Sequence, residues 1–107
     1  MTTDGLGAVV ERAGGPIRVE PITIDDPGPA EVRVRLAASG VCHSDVGAIE
    51  PGNLGAPWPM LLGHEGAGVV DAVGEGVTSV RPGDRVVITW AVPCGRCRQC
   101  LRGAPRR

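Results

Sequence analysis

Glycine and proline break this chain into short stretches, and within each stretch small apolar and polar residues alternate. Alternation with a period of two presents a single apolar face from an extended strand, so the pattern predicts an antiparallel, mainly β domain. The clearest stretch is Glu31-Val32-Arg33-Val34-Arg35-Leu36, where Val32, Val34 and Leu36 share a face and predict a half-buried strand. Gly7 to Glu11 and Ile17 to Ile22 read as earlier strands split by a Gly14-Gly15 turn, and Asp25 to Pro29 makes the next break. Two hairpin-like units are therefore expected to open the chain. Asp45 to Ile49 predicts a short helical turn and Pro51 to Pro59 a loop. Gly66 to Val73 and Arg85 to Thr89 read as later strands, joined through Thr78 to Asp84 with a Pro82-Gly83 turn.

With 17 Gly, 10 Pro, no Phe and no Tyr, the core must be built from Val, Ile, Leu and Ala. At 107 residues there is room for one modest core and no second domain. Eleven basic against twelve acidic residues give a formal charge of −1, which argues against nucleic acid or an anionic membrane as partner. The opening run Met1 to Gly5 lacks a basic leader, and no stretch is long and apolar enough to span a bilayer, so the expected location is cytoplasmic.

Three of the 4 Cys lie close together, at Cys94, Cys97 and Cys100, a C-x2-C-x2-C run with Gly95 easing the turn. Such crowding favours metal binding over cross-linking. Zinc and an iron–sulfur cluster both use this spacing, but where the ferredoxin run places its fourth Cys this chain has Ala104, although Pro105 follows. Zinc is the better fit. The segment after Trp90 holds little apolar material beyond Leu101 and Ala104, so metal is its expected tether, and Arg96, Arg98, Arg102, Arg106 and Arg107 are expected to offset the thiolate charge.

A second constellation is Cys42-His43-Ser44-Asp45 with Gly63-His64-Glu65-Gly66 about twenty residues on. Cys42 and His64 provide two of the three protein ligands usual at a catalytic zinc, and Asp45 and Glu65 are candidate carboxylates for the second imidazole N–H. His43 is adjacent to Cys42, where side-chain direction makes joint ligation awkward, so the third ligand is expected from outside the chain. Gly66-Ala67-Gly68 begins like a dinucleotide fingerprint, but Asp71 stands where Gly or Ala is required, and the segment reads as a strand with close backbone packing.

Together, Gly40 to Asp45, Gly63 to Gly68, Gly83-Asp84-Arg85-Val86 and Cys94-x2-Cys97-x2-Cys100 resemble the zinc-dependent medium-chain alcohol dehydrogenases, in order and spacing, over essentially the whole chain. The resemblance implies a GroES-like, partly open β-barrel: the N-terminal part of the catalytic domain over residues 1–107, with residues 93–107 a partial structural-zinc loop. It implies Cys42 and His64 as catalytic-zinc ligands, Cys94, Cys97 and Cys100 as structural-zinc ligands, and Ser44 as the group that passes the alcohol proton. Asp45 and Glu65 match acids around that metal, His43 faces the NAD(P) pyrophosphate, and Trp90 and Trp58 border the substrate pocket. The reaction implied is hydride transfer between an alcohol and an aldehyde or ketone, in a full-length enzyme that is a homo-oligomer.

Two departures stand out. Gly47 occupies the place of a relay His, and the family's fourth structural Cys falls immediately after Arg107. The nucleotide-binding domain is absent from the sequence, so the chain by itself is expected to be inactive. A stand-alone zinc-binding module and a GroES-like structural protein are the alternative classes.

Overall fold

The computed structural model of the chain describes residues 2–53, 55–91 and 93–105. Along them run β1 (Thr3–Val10), β2 (Ile17–Ile24), β3 (Val32–Ser39), α1 (His43–Ile49), β4 (Met60–Leu61), β5 (Gly66–Val73), β6 (Arg85–Val87) and α2 (Arg98–Leu101). The strands form two antiparallel three-stranded sheets, in the orders β2-β1-β4 and β3-β5-β6, that do not close on each other. The expected mainly β, partly open barrel is the architecture found. No helix among the described residues is long and apolar enough to cross a membrane.

The first hairpin forms as expected. β1 and β2 pair along their full lengths, and Gly14 turns between them at φ 69°, a left-handed conformation that favours glycine. β1 begins at Thr3, before the predicted Gly7, because pairing with Ile22 and Thr23 carries Gly5 and Asp4 into the ladder despite their weak strand propensity. The second hairpin does not form. Pro27 and Pro29 cannot donate to a ladder, and residues 28–31 bond across to the end of β5: Ala30 N–H donates to Glu75 O at 2.8 Å and Gly74 N–H to Glu31 O at 2.8 Å. β3 is thereby delivered to β5 instead of β2.

Two further elements carry no alternation to read. β4 has only two residues, and α2 has four with no apolar stripe. β6 ends at Val87, short of the expected Thr89, and α1 starts at His43, ahead of the expected Asp45. At its C-terminal end, α1 is tied to the first hairpin by Gly14 N–H donating to Ile49 O at 2.6 Å.

The predicted half-buried face of β3 is more open than expected: Val32 is 38% and Leu36 54% exposed. The Arg33 side chain is only 16% exposed, held between Asp26 at 2.9 Å and Asp71 at 2.8 Å. Val10 and Val70 are the fully buried large side chains among the described residues. The surface of 8068 Å² exceeds the roughly 5,600 Å² expected of a compact chain of this mass. The radius of gyration, 15.7 Å, exceeds the roughly 13 Å expected for this length.

Close backbone approach fills the place of a deep core along β5. Gly66, Gly68 and Val70 form its buried face, and a Cβ on Gly68 would run into the Arg35 carbonyl. Gly68→Ala is expected to destabilise the chain by about 1–3 kcal/mol, because the obstructing atoms are backbone. Gly47→Ala, inside α1 with open space around it, is expected to stabilise it by about 0.5–1 kcal/mol. Urea melts of the two variants check the pair, and a Gly68→Ala midpoint at or above the unaltered chain's would contradict it.

Candidate metal centres

The ladder between β3 and β5 brings the two ligand segments together. Its last pair is Ser39 with Gly66, and Gly40 N–H extends it by donating to Glu65 O at 3.1 Å. Past β3 the chain turns into α1 with Cys42 at its N-cap, while His64 and Glu65 immediately precede β5. Two irregularities interrupt the ladder. Asp71 is an extra residue on β5 and Ala37 an extra one on β3, so the register is restored at the end where the ligands emerge. On the other side, pairing of β1 with Met60 and Leu61, continued by Leu62 N–H donating to Ala8 O at 2.9 Å, anchors the approach to His64.

The ligand atoms of Cys42, His64 and Glu65 all lie within 4.8 Å of one another. Ser44 Oγ sits 3.2 Å from Cys42 Sγ and 3.1 Å from His64 Nε2. Asp45 Oδ1 is 3.2 Å from His64 Nδ1, and its Oδ2 accepts from Cys42 N–H at 3.1 Å. One carboxylate thus caps α1 and engages Nδ1, which leaves Nε2 turned toward the thiol. Hydrogen bonds from the Ser44 side chain and backbone, and then from His64, hold the Cys42 thiol below its ordinary pKa, against desolvation and the Glu65 charge. The hydrogen bond to Cys42 and the charges of Asp45, Cys42 and Glu65 raise His64, against desolvation.

This donor set fits zinc. A thiolate, an imidazole and a carboxylate are its usual protein ligands, and on a tetrahedral ion their donor atoms lie roughly 3.5 Å apart, within a small side-chain adjustment of the arrangement found. A third ligand was expected from outside the chain, and the carboxylate that lies beside Cys42 and His64 within it is that of Glu65. Alternation of faces, which separates His43 from Cys42, did not separate His64 from Glu65, because both precede β5. Their adjacency was the available signal.

The other cluster is local. Cys94, Cys97 and Cys100 also place their sulfurs within 4.8 Å of one another, with Cys94 Sγ and Cys100 Sγ 3.9 Å apart. Cys94 Sγ accepts from Arg96 N–H at 3.5 Å and Cys97 N–H at 3.2 Å, and Cys97 Sγ caps α2 by accepting from Cys100 N–H at 3.4 Å. These bonds, the Arg96 N–H foremost, lower Cys94 to about 7, so the backbone of Arg96 acts where its guanidinium was expected to. Gly95 N–H draws Cys100 down, but Cys97, desolvation and Cys94 leave it raised. Arg106 and Arg107 lie outside the described residues.

Neither cluster includes the remaining predicted residues. His43 is exposed on the first turn of α1, Trp58 is half-buried before a cis Pro59, and Trp90, just beyond β6, is 75% exposed. A surface groove along Ala37, Ala67 to Val69 and Arg85 to Val87 is lined by no metal-ligating group. In the metal-free, reduced chain, iodoacetamide is expected to modify Cys94 before Cys100, with the Cys94 rate rising as pH climbs through about 7. Peptide mass spectrometry of a pH series reads this, and preferential labelling of Cys100 at neutral pH would contradict it.

Comparison with known proteins gives the family of the chain. Residues 28–107 match the family model for the alcohol dehydrogenase GroES-like domain. A putative alcohol dehydrogenase D of Mycobacterium tuberculosis is 46% identical over 96 residues, covering 90% of this chain and 26% of its own length. The crystal structure of an alcohol dehydrogenase zinc-binding domain protein from Burkholderia ambifaria superimposes with a TM-score of 0.87 at 43% identity, over 96% of this chain and 27% of that one. An NAD-dependent alcohol dehydrogenase structure superimposes with a TM-score of 0.81 at 44% identity, over 94% of this chain and 30% of that one. The chain thus spans about a quarter of the length of curated relatives it matches, and it belongs to the family of alcohol dehydrogenase GroES-like domains.

Proposed function

We propose that this chain is the metal-binding and proton-handling part of a zinc- and NAD(P)-dependent alcohol dehydrogenase, and that by itself it binds metal without turning over an alcohol. The observation that carries the reading is the meeting of Cys42, His64 and Glu65 around Ser44, with Asp45 behind the imidazole. Cys42, His64 and Glu65 would hold a catalytic zinc, and Cys94, Cys97 and Cys100 a structural one. Zinc and nicotinamide, when bound, supply Lewis acidity toward an alcohol oxygen and a hydride acceptor.

The chain's own residues handle orientation and the proton. Asp45 fixes the imidazole so that Nε2 keeps its lone pair for the metal. Ser44 Oγ, beside both Cys42 and His64, is placed to accept the alcohol proton as its own proton passes outward. Ser44 is exposed here, so water serves as next acceptor in place of the relay histidine whose position Gly47 occupies. His43 is assigned to the cofactor pyrophosphate, and Trp90 and Trp58 to the substrate pocket. NAD rather than NADP is favoured by the NAD-dependent relative.

The alternative of a zinc-binding module has one observation of its own: the three-thiol cluster assembles within a single short segment. Cobalt(II) titration of the chain separates the readings. The proposal expects two metal equivalents, one lost in Cys42→Ala and the other in Cys97→Ala, and no alcohol-dependent NADH formation. A single equivalent in the unaltered chain, unchanged in Cys42→Ala and lost in Cys97→Ala, would leave only the module.

Asp45→Asn is expected to weaken the Cys42-dependent site by about 10–100-fold and leave the thiol cluster unchanged. Because His64 holds its proton above the ordinary imidazole range, metal must displace it, and affinity is expected to fall as pH drops through that range. A pH-independent affinity at the Cys42 site would count against His64 as a ligand.

A further inference from the structure

We infer that Gly40 is a positioning residue for the metal centre: its missing side chain is the space in which the Glu65 carboxylate lies. The inference rests on the zinc reading proposed above and adds to it a residue that touches no metal. Gly40 is not among the glycines with left-handed backbone, which are Gly14, Gly63, Gly76, Gly83, Gly95 and Gly103. Its conformation is therefore open to any residue, and the reason for glycine must be space.

That space is occupied by one side chain. A Cβ built on Gly40 would collide with Glu65 Oε2 and lie 3.3 Å from both Cβ and Cδ of Glu65, and no other residue supplies any of its three nearest atoms. Gly68 and Gly74 differ, since a Cβ there meets the Arg35 and Gly28 carbonyls. Backbone cannot move without loss of structure, whereas the end of a glutamate can rotate. A methyl at position 40 therefore leaves the ladder and its Gly40 N–H to Glu65 O bond in place. It expels the carboxylate from the side on which Cys42 and His64 wait. Gly40 holds Glu65 by the backbone and makes room for its side chain, whose carboxylate lies within 4.8 Å of the Cys42 and His64 ligand atoms.

The test is a double-mutant cycle on the full chain with Gly40→Ala, Glu65→Ala and both together, titrated with cobalt(II). The readout is the part of the visible absorption that Cys42→Ala abolishes. Gly40→Ala is expected to weaken that site by about tenfold or more, and to shift its ligand-field bands in the same direction as Glu65→Ala. With Ala at position 65, the second change is expected to alter affinity by less than about twofold, since the two act through one carboxylate. Circular dichroism and the urea midpoint of Gly40→Ala should stay near those of the unaltered chain.

Cobalt binding by Gly40→Ala that matches the unaltered chain would overturn the inference. So would an equal loss with and without the Glu65 side chain, or failure of Gly40→Ala to fold, because the collision would then not be relieved by the carboxylate. If the unaltered chain shows no Cys42-dependent cobalt signal, the zinc reading falls and takes this inference with it. A normal signal in the unaltered chain that is indifferent to position 40 removes the inference alone.

Discussion

The antiparallel ladder between β3 and β5 governs the rest of the molecule. Strand pairing fixes which residues leave the sheet at the same end, and here those are Cys42 on one side and His64 with Glu65 on the other. A slip of one residue would turn His64 to the opposite face. The extra residues Asp71 and Ala37 lie on opposite strands and cancel, so the register at the ligand end agrees with the register at Val32. Arg33 bonds Asp71 at the first of these irregularities and reaches Asp26 in the preceding loop, tying the bulge to the segment that delivers β3.

The two candidate metal centres are built on different physical terms. At Cys42 the groups come from separate segments, and their mutual influence is electrostatic: a thiol held low, an imidazole held high, and the carboxylates of Asp45 and Glu65 nearby. A single imidazole faces three potential anions, an imbalance that favours a cation. At Cys94 the polarisation comes from backbone N–H groups two and three residues on, which act on sulfur whether or not the sheets are formed. The first centre depends on the fold. The second can order a segment that has almost no core, with Leu101 77% exposed.

Glycine serves a different purpose along β5 and at its approach from the one it serves in turns. Gly14 is needed for its backbone angle, Gly68 for contact with the Arg35 carbonyl, and Gly40 for the side chain that occupies its place. Where bulky apolar residues are scarce, close approach of backbones replaces much of the packing that a larger core would supply. The apolar face of β3 is left open to water, and Val10 and Val70 alone are fully buried among the described large side chains.

The sequence by itself determined the β class, because alternation between Gly and Pro breaks leaves only an extended strand to share an apolar face among Val32, Val34 and Leu36. It also determined the Cys94 cluster, because three thiols in one short loop are near each other in any compact turn. It could not show that β3 abandons β2 for β5, since pairing partners are chosen by Pro27, Pro29 and the bonds of residues 28–31 across the fold. Nor could it show that Glu65 gathers with Cys42 and His64. Whether neighbours in sequence point together depends on where a strand begins, and β5 begins one residue after Glu65. Only the tertiary structure decided that, through two cancelling bulges and the space left by Gly40.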